Sequence, residues 1–175
     1  MPKILLVTND FGPRAGGIET FIIGLLERLP KGEVLVYTST QDVHEEYDQN
    51  WFKEFGVEVL RDKTKILLPS PRVIRKLRRL IRARDIEVIW FGAAAPLAFS
   101  ARWLRIGAVR KQVALTHGHE VWWSKIPPFS FFMKEMVKQV DHFGYLAEYT
   151  ANEMARVIPR DKLVKIAPEI GRAHV

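Results

Sequence analysis

The 175-residue sequence contains no cysteine. That absence removes disulfides and thiolate metal sites, and it fits a reducing compartment. No apolar run approaches the roughly 20 residues needed to span a bilayer. The N-terminus, MPKILLV, passes straight into a strand pattern. It lacks the charged segment, long apolar stretch and small-residue cleavage site of a secretory leader, so a cytoplasmic protein is expected. A third shortage is local. Between Arg72 and Arg84, RVIRKLRRLIRAR holds seven basic residues and no acid. Those seven equal the whole formal net charge of +7, so the remainder of the chain is neutral and the excess needs a local explanation.

Hydrophobic residues make up 47% of the sequence, enough to bury the core of one ordinary domain and outside the composition of disordered chains. Short runs rich in Val, Ile and Leu recur at 3–9, 33–39, 57–62, 87–93, 112–118, 142–147 and 163–167. Helical spacing lies between them at 17–29, 71–84, 96–106, 129–139 and 148–157, and more weakly at 42–54. Apolar runs with little alternation suit strands buried on both faces, and their alternation with helices indicates βαβ units. The expectation is an α/β fold: a single Rossmann-like, doubly wound domain with a mainly parallel sheet. Ligands of such sheets gather beyond the carboxyl ends of the strands. The loops to inspect are therefore 8–17, 39–42, 62–70, 93–96, 116–128 and 147–150.

The first of these, TNDFGPRAGGIET, lacks the G-x-G-x-x-G dinucleotide spacing and has no Gly-Lys-Ser/Thr of a Walker loop. What it has is Gly16 and Gly17 directly ahead of a helix, where backbone N–H groups can approach an anion. Asp10 and Arg14 are suited to a polyol hydroxyl and a phosphate respectively. A βα loop whose glycines only make a turn explains the same residues.

The second unusual loop is THGHEVWW, at the end of the fifth strand. His117, His119 and Glu120 are metal-ligand types, but no further partner stands at supporting spacing. Nucleophilic triads find no cysteine and no G-x-S-x-G elbow. A surface or helix-capping histidine is the plain reading. Trp122 and Trp123 are hard to bury together in a loop, and they suit an acceptor groove or a lipid interface.

In 71–84, Val73, Ile74, Leu77, Leu80 and Ile81 form one apolar stripe, while Arg72, Arg75, Lys76, Arg78, Arg79 and Arg82 fill the remaining surface. Nucleic acid would attract such a patch, but no nucleic-acid-binding motif accompanies it. An anionic membrane attracts it equally, at ~1 kcal/mol per basic residue near the surface.

VTNDFGPRAGGIETFI resembles the start of family 4 retaining glycosyltransferases, and most of all the bacterial phosphatidylinositol mannosyltransferases. The resemblance covers almost the whole chain. It implies the N-terminal, acceptor-side half of a two-domain GT-B fold over 1–170, with the donor-binding domain and its E-x7-E segment absent. Residues 171–175, GRAHV, read as a tail foreign to that domain. In the family, the Gly-Gly loop approaches the donor phosphates and the acceptor, which implies that role for Gly16 and Gly17. Asp10 matches an acidic position near the acceptor pocket. Glu19 stands where these relatives tend to carry glutamine. His117 matches a histidine that contacts the donor sugar near the reacting centre; His119 and Glu120 are its neighbours.

The basic segment matches one used to find membranes, so the expected location is peripheral, at the inner face of the cell membrane. The implied reaction moves a sugar, mannose, from GDP-mannose to a phosphatidylinositol-type lipid. No cofactor, metal or nucleic acid is expected, and the isolated domain is expected to be inactive. The alternatives are a related transferase with a soluble acceptor, or a non-catalytic module binding an anionic ligand or nucleic acid.

Overall fold

A computed structural model describes residues 1–166. The expected domain end near 170 and the 171–175 tail lie outside the described residues. Seven parallel strands form one sheet: β1 (Ile4–Thr8), β2 (Val34–Thr38), β3 (Glu58–Arg61), β4 (Val88–Phe91), β5 (Lys111–Leu115), β6 (His142–Tyr145) and β7 (Leu163–Lys165). Their spatial order is β3-β2-β1-β4-β5-β6-β7. β1 is therefore the switch point: the chain first winds outward through β2 and β3, then returns to β4 on its other side. All seven strands were expected from the apolar runs, and the doubly wound α/β class is correct.

The helices are α1 (Gly17–Leu26), α2 (Glu45–Phe55), α3 (Pro71–Ala83), α4 (Ala101–Leu104), α5 (Val121–Ser124), α6 (Phe129–Gln139) and α7 (Glu148–Met154). The helix expected over 96–106 is a 3₁₀ turn, Leu97–Ser100, running into the single turn of α4. The one-turn α5 was not expected, because VWWS is too short to carry a period.

Alternation along β1 sends its side chains to two cores. Leu5 and Val7 pack with Val73, Leu77 and Ile81 of α3 and with Met133 and Met136 of α6. Leu6 packs with Ile22 and Leu26 of α1 and Trp51 of α2. Thus α1 and α2 cover one face, and α3, α4, α6 and α7 serve the other. Helices α3 and α1 start differently. Ser70 caps α3, its hydroxyl accepting the N–H of Val73 at 3.3 Å, with Pro71 at the first position. α1 starts from Gly16 with no side-chain cap. Among the described residues, no helix is long and apolar enough to cross a membrane.

Candidate functional site

The winding reversal at β1 parts the loops after β1 and β4, and such a crevice is where ligands settle in open α/β sheets. An open cleft of about 790 Å³ lies on the β2–β3 side of that point, lined by residues of the loop 9–16, by Ser39–Asp42 after β2, and by Lys65 and Ile66 after β3. Asp10, Arg14, Gly16 and Glu19 of the expected site line it; Gly17, His117 and His119 do not.

The loop is held by partners remote in sequence. The Asn9 amide accepts the Leu67 N–H at 2.7 Å and donates to the Leu67 carbonyl at 3.1 Å. Gln41 donates to the Phe11 carbonyl and accepts the Arg14 N–H, both at 3.0 Å. Arg61, its side chain only 5% exposed, pairs with Asp48 at 2.7 Å and donates to the carbonyls of Gly12 and Ser39. None of these supports was foreseen, since nothing in the sequence links positions 9 and 67 or 48 and 61. A carbon added at Gly16 or Gly17 would meet nothing within 4 Å, and of the two Gly16 lines the cleft.

Asp10 is half-buried, and its carboxylate takes no hydrogen bond from the described residues; only its N–H is engaged, by Thr8 Oγ1 at 2.9 Å. Burial pushes its pKa up, against the pull of His117 and His119. Glu19 is buried, and burial again raises its pKa, helped by Asp10 and opposed by Arg61. Two acids and two histidines thus share the switch-point edge.

His117 is fixed on both sides. Its Nε2 lies 2.9 Å from the Gly92 carbonyl. Its backbone N–H is received by both oxygens of Glu120 at 3.0 Å, and Gly118 donates to the same carboxylate at 2.9 Å. Gly92 is required there: a Cβ would fall 2.4 Å from Thr8 Oγ1 and 2.7 Å from Thr8 Cβ. His119 is exposed, with its ring parallel to that of His117 at 6.3 Å between centroids.

Two expectations for this loop need correction. Glu120 does not line a groove or meet lipid: it is fully buried, and its carboxylate is consumed by the two N–H groups of the turn it closes. The spacing of an acid three residues after His117 is the signal that could have suggested this, because a carboxylate there reaches back to free N–H groups. Trp123 is likewise a packing residue, edge-on to Phe99 at 5.9 Å and to Phe129 at 4.7 Å. Trp122 alone is free, 72% exposed. One tryptophan goes in and one out because consecutive side chains of a short helix point apart.

The basic residues of α3 also divide. Arg72 makes a two-pronged pair with the fully buried Asp62 at 2.8 and 3.0 Å, and Lys76 approaches the same carboxylate at 3.4 Å. Neither is a free surface cation, as an unpaired patch would require. Arg78 donates to the Trp103 carbonyl at 2.6 Å. Arg75, Arg79 and Arg82 make no ion pair among the described residues. No three His, Asp or Glu side chains converge as a metal site among the described residues.

Comparison with known proteins agrees with this architecture. The family model "Glycosyltransferase Family 4" matches residues 15–168. The chain is 39% identical over 153 residues to a GDP-mannose-dependent alpha-(1-6)-phosphatidylinositol monomannoside mannosyltransferase of Mycolicibacterium smegmatis, covering 87% of this chain and 40% of that protein. It is 36% identical over 148 residues to the corresponding monoacylated-substrate enzyme of Corynebacterium glutamicum, covering 85% of this chain and 38% of that one. The chain therefore spans about two fifths of the length of these relatives. Among solved structures, Anabaena HepE in complex with UDP and glucose superposes with a TM-score of 0.66 at 11% identity, over 95% of this chain and 44% of HepE. At that identity the likeness concerns the fold alone. The family match extends over most of the chain, from Ala15 through α1 and the loop that carries His117, and this chain belongs to glycosyltransferase family 4.

Proposed function

We propose that this chain is the acceptor-side domain of a retaining glycosyltransferase that moves mannose from GDP-mannose to a phosphatidylinositol-type lipid at a membrane surface. The observation that carries the reading is the Asp10 carboxylate: half-buried, without a hydrogen-bond donor among the described residues, raised in pKa, and lining the open cleft at the end of β1. A carboxylate poor in donors is a strong acceptor for a substrate hydroxyl, and it costs the fold stability unless a ligand uses it. The names of the relatives supply the donor and the lipid class.

In this reading Asp10 orients the acceptor hydroxyl. The open backbone at Gly16 and the uncapped start of α1 face the charge that develops on the departing diphosphate. The hydroxyl oxygen bonds to the anomeric carbon, the carbon–oxygen bond to the diphosphate breaks, and the hydroxyl proton leaves with it. His117, held by Gly92 and Glu120, positions the sugar. Arg75, Arg79 and Arg82, with Trp122, provide the edge that meets anionic lipid at the cytoplasmic face, joined by the partly engaged Arg72, Lys76 and Arg78.

The test is transfer from GDP-mannose to phosphatidylinositol mannoside by the full-length protein. His117→Ala is expected to slow it about 100-fold; an unchanged rate overturns the assignment. The 175 residues alone are expected to give no turnover, and robust turnover by them would refute the domain reading. Flotation with phosphatidylinositol vesicles is expected to be lost when Arg75, Lys76, Arg78 and Arg79 become Ser.

A further inference from the structure

The groups that keep Asp10 in place are not bonded to its carboxylate. That carboxylate takes no hydrogen bond from the described residues, so its seat in the cleft is inherited from the backbone on either side. Asn9 is tied to Leu67, and Phe11 is fully buried with its carbonyl on Gln41. The Gly12 carbonyl takes an N–H of Arg61 at 2.6 Å. Arg61 is the last residue of β3, and β2 lies between β3 and β1 in the sheet. To reach Gly12 its side chain crosses the end of β2, where it also donates to the Ser39 carbonyl at 3.1 Å.

Asp48 of α2 aims the guanidinium. It takes the Nε hydrogen at 2.8 Å and one Nη2 hydrogen at 2.7 Å, a two-pronged pair that fixes the plane of the group. The other Nη2 hydrogen then meets Gly12, and one on Nη1 meets Ser39. Four of the five N–H donors are thus used. The group also lies over the Phe11 ring, 5.8 Å from its centroid. Gly12 has no slack on its other side: a Cβ there would fall 2.5 Å from the Tyr47 hydroxyl and 2.8 Å from Glu19 Oε1. A buried ion pair is a poor device for stability alone, because apolar packing of similar volume often serves as well. What apolar packing cannot supply is direction, and here four directed bonds join α2 to the ends of three strands.

We propose that Arg61 is a positioning residue that sets the place of the Asp10 carboxylate by gripping the Gly12 peptide. The task requires a guanidinium. Lysine carries the same charge on one nitrogen, with three donors spreading from a point, and it cannot hold both Asp48 oxygens while reaching Gly12 and Ser39. The effect on turnover rests on the transferase reading, in which Asp10 orients the acceptor hydroxyl.

The experiment is a double-mutant cycle on transfer by the full-length protein. Arg61→Lys is expected to lower kcat about 30-fold or more in the parent, but less than about threefold when Asp10 is already Asn. A role in stability alone gives one factor in both backgrounds, so equal factors overturn the proposal. Arg84→Lys is the matched control, since Arg84 makes a similar two-pronged pair, with Glu58 at 2.7 and 2.9 Å, and no bond to the loop 9–16. It is expected to change kcat less than about twofold; a loss equal to that of Arg61→Lys overturns the proposal. If Arg61→Lys does not fold, Asp48→Asn takes its place, because it keeps both the shape and Arg61. A loss of about fivefold that again depends on Asp10 is expected, and an unchanged rate overturns the proposal. A second arm needs no transfer: titration of the Asp10 carboxyl carbon by NMR in the 175-residue chain. Arg61→Lys keeps the charge but frees the loop, so the raised Asp10 pKa is expected to fall toward the ordinary carboxylate value, and to stay in Arg84→Lys. An unmoved titration in Arg61→Lys overturns the positioning role. A response here with no transfer by the full-length parent would refute the transferase reading and leave the positioning role standing.

Discussion

Asp10 and Asp62 stand at the same edge of the sheet, beyond the ends of β1 and β3, yet their surroundings are opposite. Asp62 is fully buried and surrounded by donors: Arg72 lowers its pKa far below the usual carboxylate range, burial opposes that, and Tyr37 and Thr64 add to the lowering. Asp10 is half-buried with no donor on its carboxylate, and burial raises its pKa. The first acid is fully employed by the fold. The second is left for something the fold does not supply. A polar group within an open crevice is informative when its hydrogen-bonding capacity is unspent.

Four measurements can break or sharpen this contrast. The largest expected effect is on Asp10→Asn, which should cut transfer by the full-length protein about 100-fold while leaving its stability equal or higher at neutral pH. The sign follows from linkage: an acid with a raised folded pKa costs stability as pH rises through its titration, and removing the charge relieves that cost. A large drop in melting temperature would give Asp10 a structural role instead.

Asp62→Asn should do the reverse. It weakens the anchor of Arg72 and Tyr37 and is expected to cost about 2 kcal/mol in urea denaturation. A cost below about 0.5 kcal/mol would show the cluster to be inert. The third measurement is stability against pH. The Asp62 pKa is depressed on folding, so its contribution is complete above the unfolded carboxylate value, about 3.9, and is lost as pH falls below it toward the folded value. The parent chain should therefore lose stability more steeply below about pH 4 than Asp62→Asn. Parallel curves would place the acid sensitivity elsewhere. Smallest is Gly16→Ala, expected to change stability by no more than about 0.5 kcal/mol because the added methyl meets open space. A slowed transfer in that same variant would show that the space belongs to a ligand.

The contrast also marks what the sequence could convey. Strands buried on both faces leave dense apolar runs, so all seven strands and the doubly wound class were legible, as was the inward stripe Val73, Leu77, Ile81 of α3. Asp10 and Gly16 could be singled out because their loop follows the carboxyl end of a parallel strand and opens a helix, whereas His117 was singled out by the family resemblance. The Asp62 cluster was not legible. Arg72 sits inside a block of cations, and only the return of α3 across the end of β3 shows that it is already paired. Arg61 and Asn9 escaped for the same reason, their partners being Asp48 and Leu67. Trp122 and Trp123 look identical in sequence, and helix geometry alone separates the exposed ring from the packed one.

The bond between His117 and Gly92 has a consequence for proton chemistry. A backbone carbonyl only accepts, so Nε2 must carry the hydrogen in that contact. In the neutral ring Nδ1 is then left with its lone pair, and His117 can receive a hydrogen bond from a sugar hydroxyl but has none to give at that nitrogen. Only protonation turns Nδ1 into a donor, at which point the ring becomes a cation. One carbonyl, at the buried position where no Cβ fits, thus selects the tautomer and with it the polarity of the bond that a substrate can make to this histidine.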